Sequence, residues 1–199
     1  GQDVLNGSTV RVRVAGRSVA SSVLLPYKMD GVTVAIDPAP STSGTDVTLE
    51  VARRLQALLE ASGARVVVTR SVASTASQTS DRAALITETS ATVVVALDVA
   101  VTGPAGISLT LPLSAEASGT ASQLLAERMA EALRAPGQQV QSPTTAESAI
   151  LAASKAPGVR VVLGNSRVQS DSSRFSDPAW ADTIARGLYR AVGANFGQK

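Results

Sequence analysis

The sequence contains neither histidine nor cysteine. Ser-His-Asp and Cys-His catalysis are therefore excluded, and neither a disulfide nor a thiolate metal site can form. Only carboxylates, carbonyls and hydroxyls are left to bind a metal, whereas conventional zinc sites rely on imidazole and thiolate ligands. Glycine-rich phosphate-binding motifs are absent as well. We therefore expect no metal and no cofactor.

Aromatic residues are also scarce, at 3%, so that a core drawn from 44% hydrophobic residues must be mainly aliphatic. The net charge is only +2 and the arginines are scattered, which argues against nucleic acid as a partner because phosphate binding needs a concentrated basic face. No apolar run reaches the roughly 18 residues of a membrane span. The opening Gly-Gln-Asp lacks leader features, and we expect a signal or anchor to have been removed.

Two short segments precede the main pattern. Residues 8–14 alternate apolar and polar side chains with a period of two, and a second apolar stretch at 19–25 ends at Pro26. This pattern predicts a β-hairpin with its turn at 15–17. We accordingly divide the chain into an N-terminal β extension at 1–30 and an α/β domain at 31–199.

The α/β domain begins with a strand, a helix and a strand. An apolar run at 31–36 stops at Asp37 and Pro38, and from Asp46 apolar residues recur at spacings of three and four until Gly63. A further apolar run follows at 64–68. This order predicts a parallel strand pair joined by a right-handed crossover.

Strands and helices continue to alternate to the end of the chain. We predict helices at 82–89, 120–133 and 178–196, and strands at 91–97, 107–113 and 159–163. The fold class is therefore a single α/β domain with a mostly parallel sheet of about six strands and helices on both faces. Asp37 and Asp98 both follow predicted strands, at the sheet edge where such folds bind ligands.

The order of these segments resembles the zinc-dependent N-acetylmuramoyl-L-alanine amidases, the peptidoglycan amidases of Amidase_3 type. The likeness extends over about residues 32–196. The segments that carry it include Val-Ala-Ile-Asp-Pro at 34–38, a helix and Thr-Arg strand at 46–70, residues 80–85, 93–100 and 106–110, Pro-Gly-Val-Arg-Val-Val-Leu-Gly at 157–164, and Ser-Asp-Pro-Ala-Trp at 176–180.

The resemblance implies a zinc site of two histidines and a glutamate, with a second glutamate as catalytic base. These four positions fall at Pro40, Gly44, Asp98 and Val162, so the family's residues are absent from all of them. We therefore expect a catalytically inactive relative, a pseudoenzyme and not an enzyme. It would act outside the cytoplasm, bind peptidoglycan or a cell-wall-associated protein, and regulate envelope remodelling.

Two alternatives remain. The first is a hydrolase that uses Asp37 and Asp98 as a rebuilt carboxylate site, since paired carboxylates can share acid and base work or hold a hard cation. In the simpler interpretation Asp37 braces the loop before Pro38 and Asp98 is solvated at a strand end. The second alternative is a structural module that forms a homodimer through residues 1–30 or an open sheet edge.

Overall fold

The computed structural model describes residues 9–14, 17–22, 26–40, 44–73, 77–113 and 118–198. Strands β1 (Thr9–Val14) and β2 (Arg17–Ser22) pair in antiparallel fashion in a separate two-stranded sheet. Residues 8, 15–16 and 23–25 of the predicted hairpin lie outside the described residues. The division of the chain at residue 30 stays a prediction.

The main sheet has six strands in the order β4-β3-β5-β8-β6-β7. All neighbouring strands are parallel except β6 and β8, which are antiparallel. This architecture confirms the predicted single α/β domain with a mostly parallel sheet. The strands are β3 (Thr33–Pro38), β4 (Arg65–Val68), β5 (Val93–Ala100), β6 (Ser108–Pro112), β7 (Thr144–Ala146) and β8 (Gly158–Asn165).

Helices cover both faces of this sheet. The described helices are α1 (Val47–Ala61), α2 (Thr79–Glu88), α3 (Ser118–Arg134), α4 (Ala149–Ala152), α5 (Gln169–Ser172) and α6 (Pro178–Phe196). Helix α1 begins where the Asp46 carboxylate accepts a hydrogen bond from the Leu49 amide, and it ends just before Gly63, whose φ is +91°. Helix α6 begins at Pro178 with Asp177 as its N-cap.

Helices α1, α3 and α6 pack on one side of the sheet, which we call the first face. Its core is large and mainly aliphatic, as the composition predicts. Trp180 and Tyr189 of α6 are buried in this core. Six of the largest fully buried side chains in the core are Leu55, Leu59, Leu97, Leu125, Leu133 and Ile184.

Helices α2 and α4 cover the opposite side, the second face, with a much smaller core. Its buried members are Ala35, Ile86, Val94, Ala96, Ile150 and Leu151. Side chains alternate along a strand, so Asp37, Asp98 and Arg160 share this face with Ala35 and Ala96. Among the described residues, a cavity lies on the second face near the carboxyl ends of β3 and β5.

Three short elements were not predicted, namely β7, α4 and α5. Strand β5 also differs from the prediction, because it continues through Asp98 to Ala100 with an irregular register after Asp98. Asp98 therefore lies within a strand, where its side chain points in a fixed direction.

Candidate functional site

The candidate site lies on the second face, near the carboxyl ends of β3, β5 and β8. Asp98 of β5 and Val162 of β8 are direct register partners, and Arg160 of β8 pairs with Ala96. Asp37 of β3 also pairs with Ala96. Paired residues of neighbouring strands project from the same side of a sheet, which brings these side chains together.

Asp37 forms a buried ion pair with Arg82 of α2. The Arg82 Nε atom donates a hydrogen bond of 2.8 Å to Asp37 Oδ1, and the Thr69 hydroxyl donates to the same oxygen. Arg82 Nη1 also donates to the carbonyl of Ser77 at 2.9 Å. Asp37 therefore holds α2 and the residue after β4 against β3.

Asp98 forms a second ion pair, with Arg160 of the neighbouring strand. Arg160 Nε donates to Asp98 Oδ2 at 3.0 Å, and Nη2 donates to the same oxygen. The other carboxylate oxygen accepts the Val99 amide at 2.8 Å. Asp98 is thus a paired, half-buried carboxylate rather than a solvated one.

Both ion pairs line a cavity of about 230 Å³, which we call the charged cavity. The structure thereby brings Asp37 and Asp98 into the wall of one cavity. Each carboxylate already accepts hydrogen bonds from an arginine, which occupies an oxygen that a cation would need. The described residues contain no group of three or more acidic side chains able to hold a metal ion.

A second cavity, of about 370 Å³, begins at Val162 and extends over β6 and β7. We call it the uncharged cavity, because the described residues that line it carry hydroxyl and amide groups and no charged side chain. Its polar lining residues are Thr102, Ser108, Gln141, Ser142 and Thr144. Asp98 lines the first cavity and its register partner Val162 lines the second, so the two cavities lie next to each other on the second face. We refer to the two together as the strand-end groove.

The family positions inferred from the resemblance do not all meet in this groove. Pro40 is half-buried two residues after β3, whereas Gly44 is exposed and lines a different cavity beside Phe175. Residues 41–43 lie outside the described part of the chain. Pro40, Gly44 and Val162 have no side-chain donor atom, and Asp98 is held by Arg160. These four positions therefore do not form the donor set that a zinc ion needs.

Arg70 fixes the loop that leads from β3 into α1. It is 4% exposed and its guanidinium contacts both carboxylate oxygens of Asp46, at 2.6 and 2.9 Å. It also donates to the carbonyls of Pro38 and Ala39, each at 3.0 Å. Burial raises the pKa of Asp46, but the hydrogen bonds from Arg70, Thr48 and the Leu49 amide, with the charge of Arg70, outweigh burial and leave the pKa below its ordinary value.

Sequence reasoning missed the three arginines that organise this site. Arg70 entered only as part of a Thr-Arg resemblance, and Arg82 only as the start of a predicted helix and as part of the resemblance at 80–85. Arg160 did carry a signal, because it is the single charged residue in the apolar segment of β8. A charge in a central strand requires a partner or a solvated opening, and the structure provides both.

Most of the chain matches the model of a known protein family. Residues 31–194 match the Amidase_3 model, described as N-acetylmuramoyl-L-alanine amidase. The protein therefore belongs to this family of peptidoglycan amidases, which confirms the resemblance found in the sequence. No curated protein sequence matches the chain.

Several solved amidases share the fold. The amidase Ami1 from Mycobacterium smegmatis has a TM-score of 0.75 and 17% identity over 85% of this chain and 98% of its own. An N-acetylmuramoyl-L-alanine amidase from Clostridium difficile 630 has a TM-score of 0.74 and 21% identity, covering 82% and 95% respectively. The CwlD amidase from Clostridioides difficile, in complex with the GerS lipoprotein, has a TM-score of 0.73 and 16% identity, covering 83% and 98%.

These comparisons correct one prediction. The expectation that the chain is not an enzyme is wrong, because both the matching family and the similar solved structures are amidases. That expectation rested on the absence of the family's residue types from the four positions at which the resemblance places its zinc site and catalytic base. None of the described helices is long and apolar enough to cross a membrane.

Proposed function

We propose that this amidase-family domain binds a peptidoglycan fragment in the strand-end groove, outside the cytoplasm, and thereby helps to regulate envelope remodelling. One observation carries the proposal: a charged cavity and an uncharged, hydroxyl-lined cavity adjoin on one face of the family's fold. A peptidoglycan fragment joins an uncharged sugar to a stem peptide with ionised groups. The charged cavity suits the ionised stem peptide, and the uncharged cavity suits the sugar.

The proposal also concerns the positions at which the resemblance places the family's zinc site. In this chain the residues at these positions do not provide the ligands of a zinc ion. The chain has no histidine, and Pro40, Gly44 and Val162 provide no side-chain donor. At Asp98 the partner is a guanidinium, which repels a cation. We therefore assign Asp98, Arg160 and Val162 to ligand binding, and derive no step through a zinc ion.

A wall-associated protein is the second candidate partner. The observation in its favour is that one structurally similar amidase, CwlD, forms a complex with the GerS lipoprotein. The two candidates differ in where binding occurs. A small muropeptide fits within the groove, whereas a protein partner requires a larger surface around it.

Retention on purified, insoluble peptidoglycan tests the proposal. The Thr144→Trp variant should reduce retention, because Thr144 is exposed on β7 and lines the uncharged cavity, which an indole ring would fill. The matched control is Thr120→Trp, since Thr120 is exposed on α3 on the first face. Release of stem peptide is measured in the same samples, so that binding and hydrolysis are recorded separately.

The expected result is that the wild-type protein and Thr120→Trp are retained equally while Thr144→Trp is largely lost from the pellet. Equal retention of all three proteins would remove the groove from the proposal. No retention of the wild-type protein would contradict the peptidoglycan-binding function itself. Retention of the wild type on a wall-associated protein alone would favour the second candidate.

A further inference from the structure

Arg160 occupies an unusual place for a charged residue. It lies on β8, which is flanked by β5 and β6, and the other residues of this strand are all buried. Moving a guanidinium from water to such a position is unfavourable unless a counter-charge and some solvent contact compensate. Asp98 on β5 provides the counter-charge, and the charged cavity provides the opening.

The geometry of this pair leaves Arg160 with unused binding capacity. Both contacting nitrogens, Nε and Nη2, donate to a single oxygen of Asp98. Within the described part of the chain, Nη1 has no hydrogen-bond partner. A guanidinium carries five N–H donors arranged to bind a carboxylate through two oxygens. Arg160 can therefore receive a second carboxylate, or exchange Asp98 for one.

The other arginine of the charged cavity is less suitable. The Arg82 side chain is only 6% exposed and is fixed by Asp37 and by the Ser77 carbonyl. The Arg160 side chain is 36% exposed, and Asp98 beside it is 26% exposed. A ligand entering the cavity thus meets Arg160 without first breaking a buried ion pair.

We infer that Arg160 is the residue that binds a carboxylate of the ligand, and that Asp98 is an internal carboxylate competing with the ligand for it. This inference rests on the proposed function and specifies which part of the fragment enters which cavity. The carboxylate of the stem peptide lies in the charged cavity against Arg160. The uncharged sugar lies beyond Val162 in the uncharged cavity.

Competition within the pair predicts opposite effects of two conservative substitutions. Asp98→Asn keeps the shape of the side chain but removes its charge, so Arg160 is freed and affinity for a carboxylate ligand should rise severalfold. Arg160→Gln removes the guanidinium, and affinity should fall by on the order of tenfold, as expected for loss of a charge-assisted hydrogen bond. If the ion pair had only a structural role, both substitutions would weaken binding.

The probe is N-acetylmuramoyl-L-alanyl-D-isoglutamine, which has one carboxylate, compared with the same molecule in which that carboxylate is a primary amide. Binding is measured by calorimetry on the whole chain. The pair Arg186–Asp182 on α6 provides matched controls, because the exposed fractions of its side chains are 33% and 37% and it lies on the first face. Arg186→Gln and Asp182→Asn repeat the two charge changes away from the groove.

The inference predicts that the acid binds more tightly than the amide, that Asp98→Asn strengthens binding of the acid alone, and that Arg160→Gln makes acid and amide equivalent. Both control variants should bind like the wild type. If acid and amide bind wild-type protein equally, or if both Asp98→Asn and Arg160→Gln weaken binding, the inference is overturned while the proposed function stands. If neither compound binds and peptidoglycan is not retained, the proposed function fails as well.

Discussion

The two faces of the sheet differ in the size of their apolar core and in the charge that they carry. On the first face three long helices bury a continuous aliphatic core, whereas on the second face α2 and the four-residue α4 cover a core of six residues. The second face instead carries the ion pairs Asp37–Arg82 and Asp98–Arg160 and both halves of the groove. A large core on one side allows the other side to accommodate charge and open volume.

The largest effect should come from shortening a side chain in the first-face core. Leu55 is fully buried on α1, and Leu55→Ala should lower the free energy of unfolding by about 3–5 kcal/mol through lost burial and a residual cavity. Ile150→Ala on α4 should lose less, about 2 kcal/mol, because α4 can collapse onto its thin core. Urea unfolding measures both, and equal losses would contradict the assigned difference between the faces.

The next largest effect separates the two ion pairs. Arg82→Gln leaves Asp37 buried without its counter-ion and should lower the free energy of unfolding by about 3 kcal/mol. Arg160→Gln leaves a carboxylate that water can reach, and its loss should be about 1 kcal/mol or less. Equal destabilisation in guanidinium unfolding would mean that the Asp98–Arg160 pair is as structural as the Asp37–Arg82 pair.

A smaller effect concerns pH. The folded-state pKa of Asp46 is lowered, so its contribution to stability is present above its ordinary value of 3.8 and is lost as the pH falls through the folded value. Asp46→Asn removes this contribution. The stability difference between wild type and variant should therefore be constant near neutral pH and shrink on acidification. A difference that grows on acidification would contradict the lowered pKa.

The smallest effect is expected from Asp182→Asn. Asp182 pairs with Arg186 one helical turn away and is 37% exposed, so the free energy of unfolding should change by less than about 0.5 kcal/mol. Thermal unfolding detects any larger change. A loss comparable to that of Arg82→Gln would show that charged pairs on the two faces contribute equally to the free energy of unfolding.

Elements with a strong pattern were predictable from sequence. The apolar spacing of Trp180, Ile184 and Leu188, with an Asp-Pro start, predicts α6 at 178–196, and the structure has Pro178–Phe196. By contrast, β7 is only Thr-Thr-Ala and has no apolar alternation. Strand β7 forms because its backbone pairs with β6, and this pairing depends on the tertiary structure.

The candidate site was predicted only in part, for a related reason. Strand ends identified Asp37 and Asp98, since a buried apolar run followed by an aspartate is visible locally. Their partners are 45 and 62 positions away in sequence, and only the strand order and α2 packing bring them together. Residue types at single positions also led to the wrong prediction of a non-enzyme, which the family match corrects.

The most direct test of the account is to locate bound ligand by backbone amide chemical shifts. The protein is titrated with N-acetylmuramoyl-L-alanyl-D-isoglutamine, and shifts are mapped onto the two faces. We predict saturable shifts at Asp98, Arg160, Val162 and Ser108, with α1 and α6 unchanged. Shifts concentrated on α1 and α6, or none at millimolar ligand, would contradict the assignment of the second face as the ligand-binding face.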